Sequence, residues 1–343
     1  MTAAIVPSRA ARALALTSAS ALCALTAAIL AISVLGKVHR PEVVLDISIP
    51  AAHPKLAPHR PFAAMPAQPA RRIDKLEYAG RALIADPALI ENSPQGPIPR
   101  ISDDGRKPMV AYAAPAASGK FRIAVVVSGL GLSAKATEAA ISALPAGVTL
   151  AFEPYGDDVQ QSVSVAREKG HEALLEIPME PLDFPDSDPG PNTLRSGVEM
   201  DGNGQRLNWA MSRFTGYAGV TNLLGQRFLS DSDALSPAMV QLAQRGLYFF
   251  DDGGAAQSVA SDVAGQAGTA FAKATGRLDE VQSALEIDKH LSDLETEARA
   301  HGTAIGSGFL YPVTVERIAT WAKGLEGRGF VLVPVSAIVS QSK

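Results

Sequence analysis

The sequence predicts an α/β fold, a closed or nearly closed barrel of seven or eight strand–helix units, over residues 119–343. Three observations predict it. Apolar, strand-like runs recur at Arg122–Val127, Val148–Phe152, Glu172–Ile177, Ala218–Leu223, Leu247–Phe250, Gly268–Ala272, Thr303–Gly306 and Phe330–Val335. Helical patterns separate most of them, at Ala134–Leu144, Asp157–Lys169, Leu207–Phe214, Pro237–Arg245, Asp279–Ala300 and Val313–Leu325. In the fifth helix Val281, Ala284, Ile287, Leu291, Leu294 and Ala298 keep the spacing of one buried face. Alternation of this kind means a parallel sheet covered by helices. In such a barrel, chemistry gathers at the C-terminal ends of the strands.

The first 118 residues read differently. Ala13–Gly36 is an uncharged apolar run of 24 residues, long enough to span a bilayer with some tilt. Arg9 and Arg12 precede it, as in a signal sequence or an uncleaved anchor, and its length favours the anchor. The expectation is a single-pass inner-membrane protein with its globular domain in the periplasm, although Lys37 and Arg40 blur the charge asymmetry. Cys23, the only cysteine, reads as a small apolar residue of that helix. A single cysteine excludes an intramolecular disulfide and a multi-cysteine metal site. Residues 1–40 are therefore anchor or signal. Residues 41–118 hold 13 of the 24 prolines and read as a linker. Ile84, Leu89, Ile90, Ile98 and Ile101 mark an ordered strap over residues 83–113 within it. The net charge of −4 offers no basic footprint for nucleic acid.

The strand ends carry acids and amides: Glu153, Glu176, Glu180, Asp183, Asn222, Asp251 and Asp252. Four acids and four prolines fall between Met179 and Asn192, a stiff loop of a length that usually has a shape to hold. Glu180 and Asp183 also suit the amides of that loop, and Asp251 and Asp252 suit the Gly253-Gly254 turn. Glu153 could pair with Arg227. Adjacent acids in a strand face opposite ways, so one of Asp251 and Asp252 at most faces the groove. Glu176 alternates with Leu175 and should point into the barrel, where a buried acid needs a partner. His39, His53 and His59 lie in the linker, His171 and His301 at the opposite rim, and His290 in mid-helix. Ser128 and Ser307 have no neighbouring base, and Trp209 and Trp321 read as packing residues. Gly129, Gly131 and Ala134 followed by Glu153 also have the spacing of a dinucleotide-binding turn.

With those residues in view, residues 121–338 resemble the divergent polysaccharide deacetylase family, relatives of metal-dependent carbohydrate deacetylases. The block Pro178–Leu194 carries the resemblance, with the order of the loops around it. Gly96-Pro97-Ile98-Pro99-Arg100-Ile101, Asp104-Gly105 and Ala111-Tyr112 resemble the lead-in of an envelope-anchored branch. The resemblance implies a distorted (β/α)7–8 barrel. It also exposes departures. The family's D-D-L-G reads Ser128-Gly129-Leu130-Gly131, its N-N-H-M-G-S reads Thr221-Asn222-Leu223-Leu224-Gly225-Gln226, and its I-G-H-P-H-P reads Ile305-Gly306-Ser307-Gly308-Phe309-Leu310. Both aspartates and all three histidines are replaced. The expected consequence is loss of the metal and of standard deacetylation, with no cofactor. Met179, Glu180, Pro181, Asp183, Asn192, Asn222, Asp251 and Asp252 survive as ligand-holding positions. An envelope glycan or oligosaccharide is the expected ligand. Two alternatives stay open: metal-free hydrolysis by carboxylates about 5–10 Å apart, with Glu180 and Asp251 as the pair, and a protein-docking module.

Overall fold

Both faces of the main sheet are buried, which forces long apolar runs rather than alternation. The structure, a computed structural model, describes residues 85–197 and 200–339. The expected membrane segment, Cys23, His39, His53, His59 and the first part of the linker lie outside the described residues. No helix among the described residues is long and apolar enough to cross a membrane.

Two short strands come first. β1 (Ile90–Ser93) and β2 (Gly96–Pro99) form an antiparallel hairpin. Nine further strands form one parallel sheet: β3 (Phe121–Leu130), β4 (Thr149–Phe152), β5 (Ala173–Met179), β6 (Gly219–Leu224), β7 (Tyr248–Asp251), β8 (Ala270–Lys273), β9 (Gly276–Arg277), β10 (Thr303–Phe309) and β11 (Phe330–Leu332). The order is β8-β7-β6-β5-β4-β3-β10-β9, with β11 also on β3. β11 pairs with the lower end of β3 at Phe121–Ile123, and β4 pairs from Val126 upward. No ladder joins β8 to β9 among the described residues, so the curled sheet stays open there.

Alternation along the strands divides the core in two. Ile123, Val125, Val127, Leu175, Ile177 and Phe249 lie in the cluster under the helices. Ala124, Val126, Leu174, Tyr248, Phe250 and Ile305 lie in the interior cluster. Leu89, Met109, Tyr112, Val333 and Val335 join the interior cluster. Residues 85–113 and the chain after β11 thus plug the lower end of the barrel. Glu172, just below β5, ties this plug together. Its Oε1 accepts from Tyr248 Oη at 2.8 Å and from the Ser336 amide at 3.0 Å, while Oε2 accepts from the Ala114 amide at 3.3 Å. Met109 N donates to Gly246 O at 3.0 Å, and Arg245 Nη1 to Pro99 O at 2.7 Å.

Some boundaries differ from expectation. The helix expected from Pro237 begins at Ser232 (Ser232–Gln244), because Asp231 accepts from the amides of Asp233 and Ala234. The helix expected from Asp279 begins at Ala284 (Ala284–His301), because the Asp279 carboxylate is held by Phe309 N and Thr314 Oγ1. Val281 and Ala284 consequently leave the buried face that Ile287, Leu291, Leu294 and Ala298 form. Ala260–Ala267 is a helix that small residues and a glycine concealed, and β9 is too short to show a period.

The plug should contribute to stability. Leu89→Ala is expected to cost about 2–5 kcal/mol, as for other fully buried leucines. Urea unfolding of the variant measures it, and a loss near zero would detach the strap from the core.

Candidate functional site at the barrel mouth

Two buried acids, one just below β5 and one within it, differ in one respect. Glu172 at the lower end has donors on both oxygens. Glu176 at the upper end does not. It is fully buried, its Oε1 accepts from Gly129 N at 2.5 Å, and its Oε2 has no partner. Thr221, its register neighbour on β6, has an unpartnered Oγ1 as well. Burial holds the Glu176 carboxyl well above the usual range, and the charges of Glu153 and Asp252 push the same way. Glu153 is also raised by burial.

A cavity of about 870 Å³ opens above this layer, within the size range of ligand sites. Glu153, Tyr155, Asp188, Arg277, Phe309 and Tyr311 are among its walls. Leu132, Leu223, Leu224, Glu280 and Gln282 complete much of its rim. Leu132 is 58% exposed and Leu224 is 37% exposed. Leu224 also holds a left-handed φ of 59°, a strained state for leucine of the kind found at ligand clamps. Asn222 fixes it, donating from Nδ2 to Leu224 O at 2.7 Å. Trp209 packs against Tyr155 with its ring tilted and the centroids 5.1 Å apart.

Of the nine site residues expected from sequence, Glu153 lines this cavity. Glu176 lies in the interior layer, fully buried. Met179 is buried in the core under the helices. Glu180 is a loop anchor: Oε2 accepts from the Ser196 amide at 2.7 Å, and Arg227 Nε stands 3.9 Å from Oε1. Arg227, expected beside Glu153, is thus on Glu180. Asp183 accepts from Ser187 Oγ at 2.7 Å on the exposed loop, and the Asn192 amide donates to Tyr155 Oη at 3.3 Å. Asn222 also donates to Asp252 Oδ1 at 2.8 Å. Asp251 is fully buried, accepting from Gly253 N and Ser258 Oγ, with Lys273 Nζ at 3.7 Å. Burial raises Asp252, against the pull of Asn222. The pair Glu180 and Asp251 is therefore engaged in holding the backbone. Sequence reasoning missed Tyr155, Arg277, Phe309 and Tyr311. Their position at or just after strand ends was the available signal, but apolar and basic residues there do not announce a site.

Two of the altered positions pack directly on one another. A Cβ on Gly129 would lie 2.4 Å from Phe309 Cζ and 2.7 Å from its Cε1 and Cε2. The ring of Phe309 thus occupies the space a side chain at 129 would need. Ser307 Oγ donates to Asp252 O at 2.6 Å. Among the described residues no three His, Cys, Asp or Glu side chains gather as a metal site. His171 is buried between Val148 O and Ile141 O. His290, expected in mid-helix, lies there, lines a side cavity and is bonded to Leu278 O at 3.0 Å. The dinucleotide reading fails on the same geometry. Gly129 N is bonded to Glu176 and Gly131 N to Thr137 Oγ1, so neither amide is free for a pyrophosphate.

The sequence profile of the divergent polysaccharide deacetylases matches residues 125–339, more than half of the chain. The chain belongs to the divergent polysaccharide deacetylase family. Relatives of this deacetylase-family protein include the uncharacterized protein YibQ of Escherichia coli K12, 26% identical over 207 residues, which are 60% of this chain and 63% of YibQ. The match therefore spans less than two thirds of that relative's length. A Haemophilus influenzae protein is 25% identical over 194 residues, 57% of this chain and 68% of its own. The crystal structure of the uncharacterized protein ATU2773 from Agrobacterium tumefaciens C58 is 40% identical, with a TM-score of 0.70, over 71% of this chain and all of that one.

Two variants test the mouth. Gly129→Ala is expected to cost about 2–4 kcal/mol, from ring overlap together with a φ of 86°. Adding Phe309→Ala should recover the overlap part and leave the backbone part; a double-mutant cycle reads the difference. Glu176 gives a pH dependence. The folded chain keeps a proton that the unfolded chain releases above the ordinary value of 4.5, so Glu176 weakens the fold as pH rises through that window. Glu176→Gln should reduce this slope and gain stability at pH 8 relative to pH 5. An unchanged slope in melts across pH would place the proton elsewhere.

Proposed function

We propose that this chain binds glycans on a deacetylase barrel and lacks the family's metal-dependent hydrolysis. The observation that carries the reading is the packing of Phe309 on Gly129. The positions where the resemblance expects a carboxylate and an imidazole hold a bare glycine and the ring that fills its space. Ser307 stands at a second expected histidine with its hydroxyl engaged, and Leu223, at the third, is a cavity wall. A divalent ion needs several nitrogen or oxygen ligands at one point. These residues do not fit one.

The cavity supports the binding half. Tyr155, Phe309 and Tyr311 offer ring faces, with Phe309 and Tyr311 5.2 Å apart. Sugar rings present C–H faces to such surfaces and hydroxyls at their edges. Glu153, Asp188, Glu280 and Gln282 stand around the rings as acceptors. The Ala13–Gly36 run would tether the barrel to a membrane and bring it within reach of envelope glycans. A metal-free hydrolase is the second reading, because Glu153 and Glu176 are both raised and lie close enough for one charge to act on the other. Binding is favoured because Glu176 has no exposed surface.

The test is metal analysis of the purified full chain, with acetate-release and chain-cleavage assays and binding titrations on chitooligosaccharides. The expected result is saturable binding with no stoichiometric divalent ion and no turnover. Stoichiometric zinc with acetate release would overturn the loss of activity. Chain cleavage abolished by Glu153→Gln would promote the hydrolase reading. Retention of an envelope protein without any glycan binding would turn the barrel into a docking module.

A further inference from the structure

A second cavity, of about 470 Å³, adjoins the first. Arg277 and Glu280 line both, so the two meet at these side chains. Lys273, His290, Asp293 and Glu297 also line the smaller one, which sits beside the unpaired edge between β8 and β9. The result is a groove with Arg277 at its middle. Such a shape suits a chain of sugars better than a single ring.

Arg277 is unusually placed. It lies in β9, in register with Ser307 of β10, one of the positions where the resemblance expects a metal ligand. It is partly buried. Its guanidinium makes no hydrogen bond or ion pair with any described residue. The charge it acts on is Asp252, but the Asp252 Oδ1 already accepts from Asn222 Nδ2 and Gly254 N, each at 2.8 Å. Burial favours the neutral form of Asp252, which weakens it further as a counter-ion. Gly254 leaves room for this approach: a Cβ there would fall 2.9 Å from Arg277 Nη1. Glu153, also buried in the larger cavity, is held toward its neutral form by burial, and the other acids there are engaged or exposed. Asp279 holds Phe309 N and Thr314 Oγ1, Asp188 holds Gly190 N, and Glu280 faces solvent.

Arg277 is the one basic residue lining the larger cavity among the described residues. A ligand lying in the groove would strip water from this guanidinium. Desolvating a cation without a bonded anion is unfavourable, and sugar hydroxyls do not cancel its charge. A ligand that brings its own oxyanion removes the penalty and gains a fork-shaped, charge-assisted pair. We propose that Arg277 anchors an oxyanion, a carboxylate or a phosphate, carried by the glycan that occupies this groove. The proposal rests on the glycan reading above and narrows it to acidic glycans. Glu280 faces the same junction and opposes such a ligand, which sets the contrast for the test.

The experiment is a binding screen of the full chain in detergent against three sets of oligosaccharides: uncharged, carboxylate-bearing and phosphate-bearing. The strongest binders are then titrated against the parent chain and against Arg277→Gln, Arg277→Lys and Glu280→Gln. The expected result is that the strongest binders are acidic. Arg277→Gln should weaken them by about tenfold to a hundredfold, the value of a charge-assisted bond. Arg277→Lys should retain part of the affinity, Glu280→Gln should raise it, and added salt should lower it. The carboxylate and phosphate sets tell which oxyanion the groove prefers. Strongest binding to uncharged glycans leaves the glycan reading standing and overturns this one. Acidic glycans bound undiminished by Arg277→Gln also overturn it, as does an equal loss for charged and uncharged glycans. Binding to none of the three sets removes the glycan reading itself.

Discussion

The barrel mouth depends on one contact, the ring of Phe309 against the bare Cα of Gly129. Protein interiors do not tolerate atoms at 2.4 Å, so a side chain at 129 and this ring exclude one another. Two of the altered motif positions are therefore one structural event rather than two losses. The same ring, with Tyr311 beside it, becomes a wall of the cavity. The contact that excludes a side chain at 129 thereby also supplies an aromatic wall to the cavity.

A second constraint is the burial of polar groups inside a sheet covered on both sides. Glu172 and Glu176 stand four residues apart, the first just below β5 and the second within it. Glu172 has Tyr248, Ser336 and Ala114 as donors and closes the lower end of the barrel. Glu176 keeps one donor and one open oxygen beneath the cavity. The same residue type ties the fold together where its partners are complete and leaves a buried oxygen unsatisfied where they are not.

The gap between β8 and β9 is the third feature that shapes the mouth. A sheet edge with no partner strand leaves a passage, and the passage places Arg277 between two cavities. Arg277 stands in register with Ser307, so a fixed cation occupies the row where the family resemblance expects a bound one.

The sequence by itself determined the alternation of strands and helices and most strand positions, because strands buried on both faces leave continuous apolar runs. The two-residue period assigned Glu176 to the interior, and the structure has it there. The motif order identified the family, and the missing imidazoles were visible in it. The tertiary structure alone decided which acids are free. Glu180 is occupied by Ser196 and Arg227, Asp251 by Gly253, Ser258 and Lys273, and those partners lie in segments whose approach no local pattern encodes. It alone brought Tyr155, Arg277 and Phe309, far apart in the chain, to one cavity. A period along the chain reports which face a residue takes, while the identity of its neighbour across the barrel depends on how the whole sheet curls and where it fails to close.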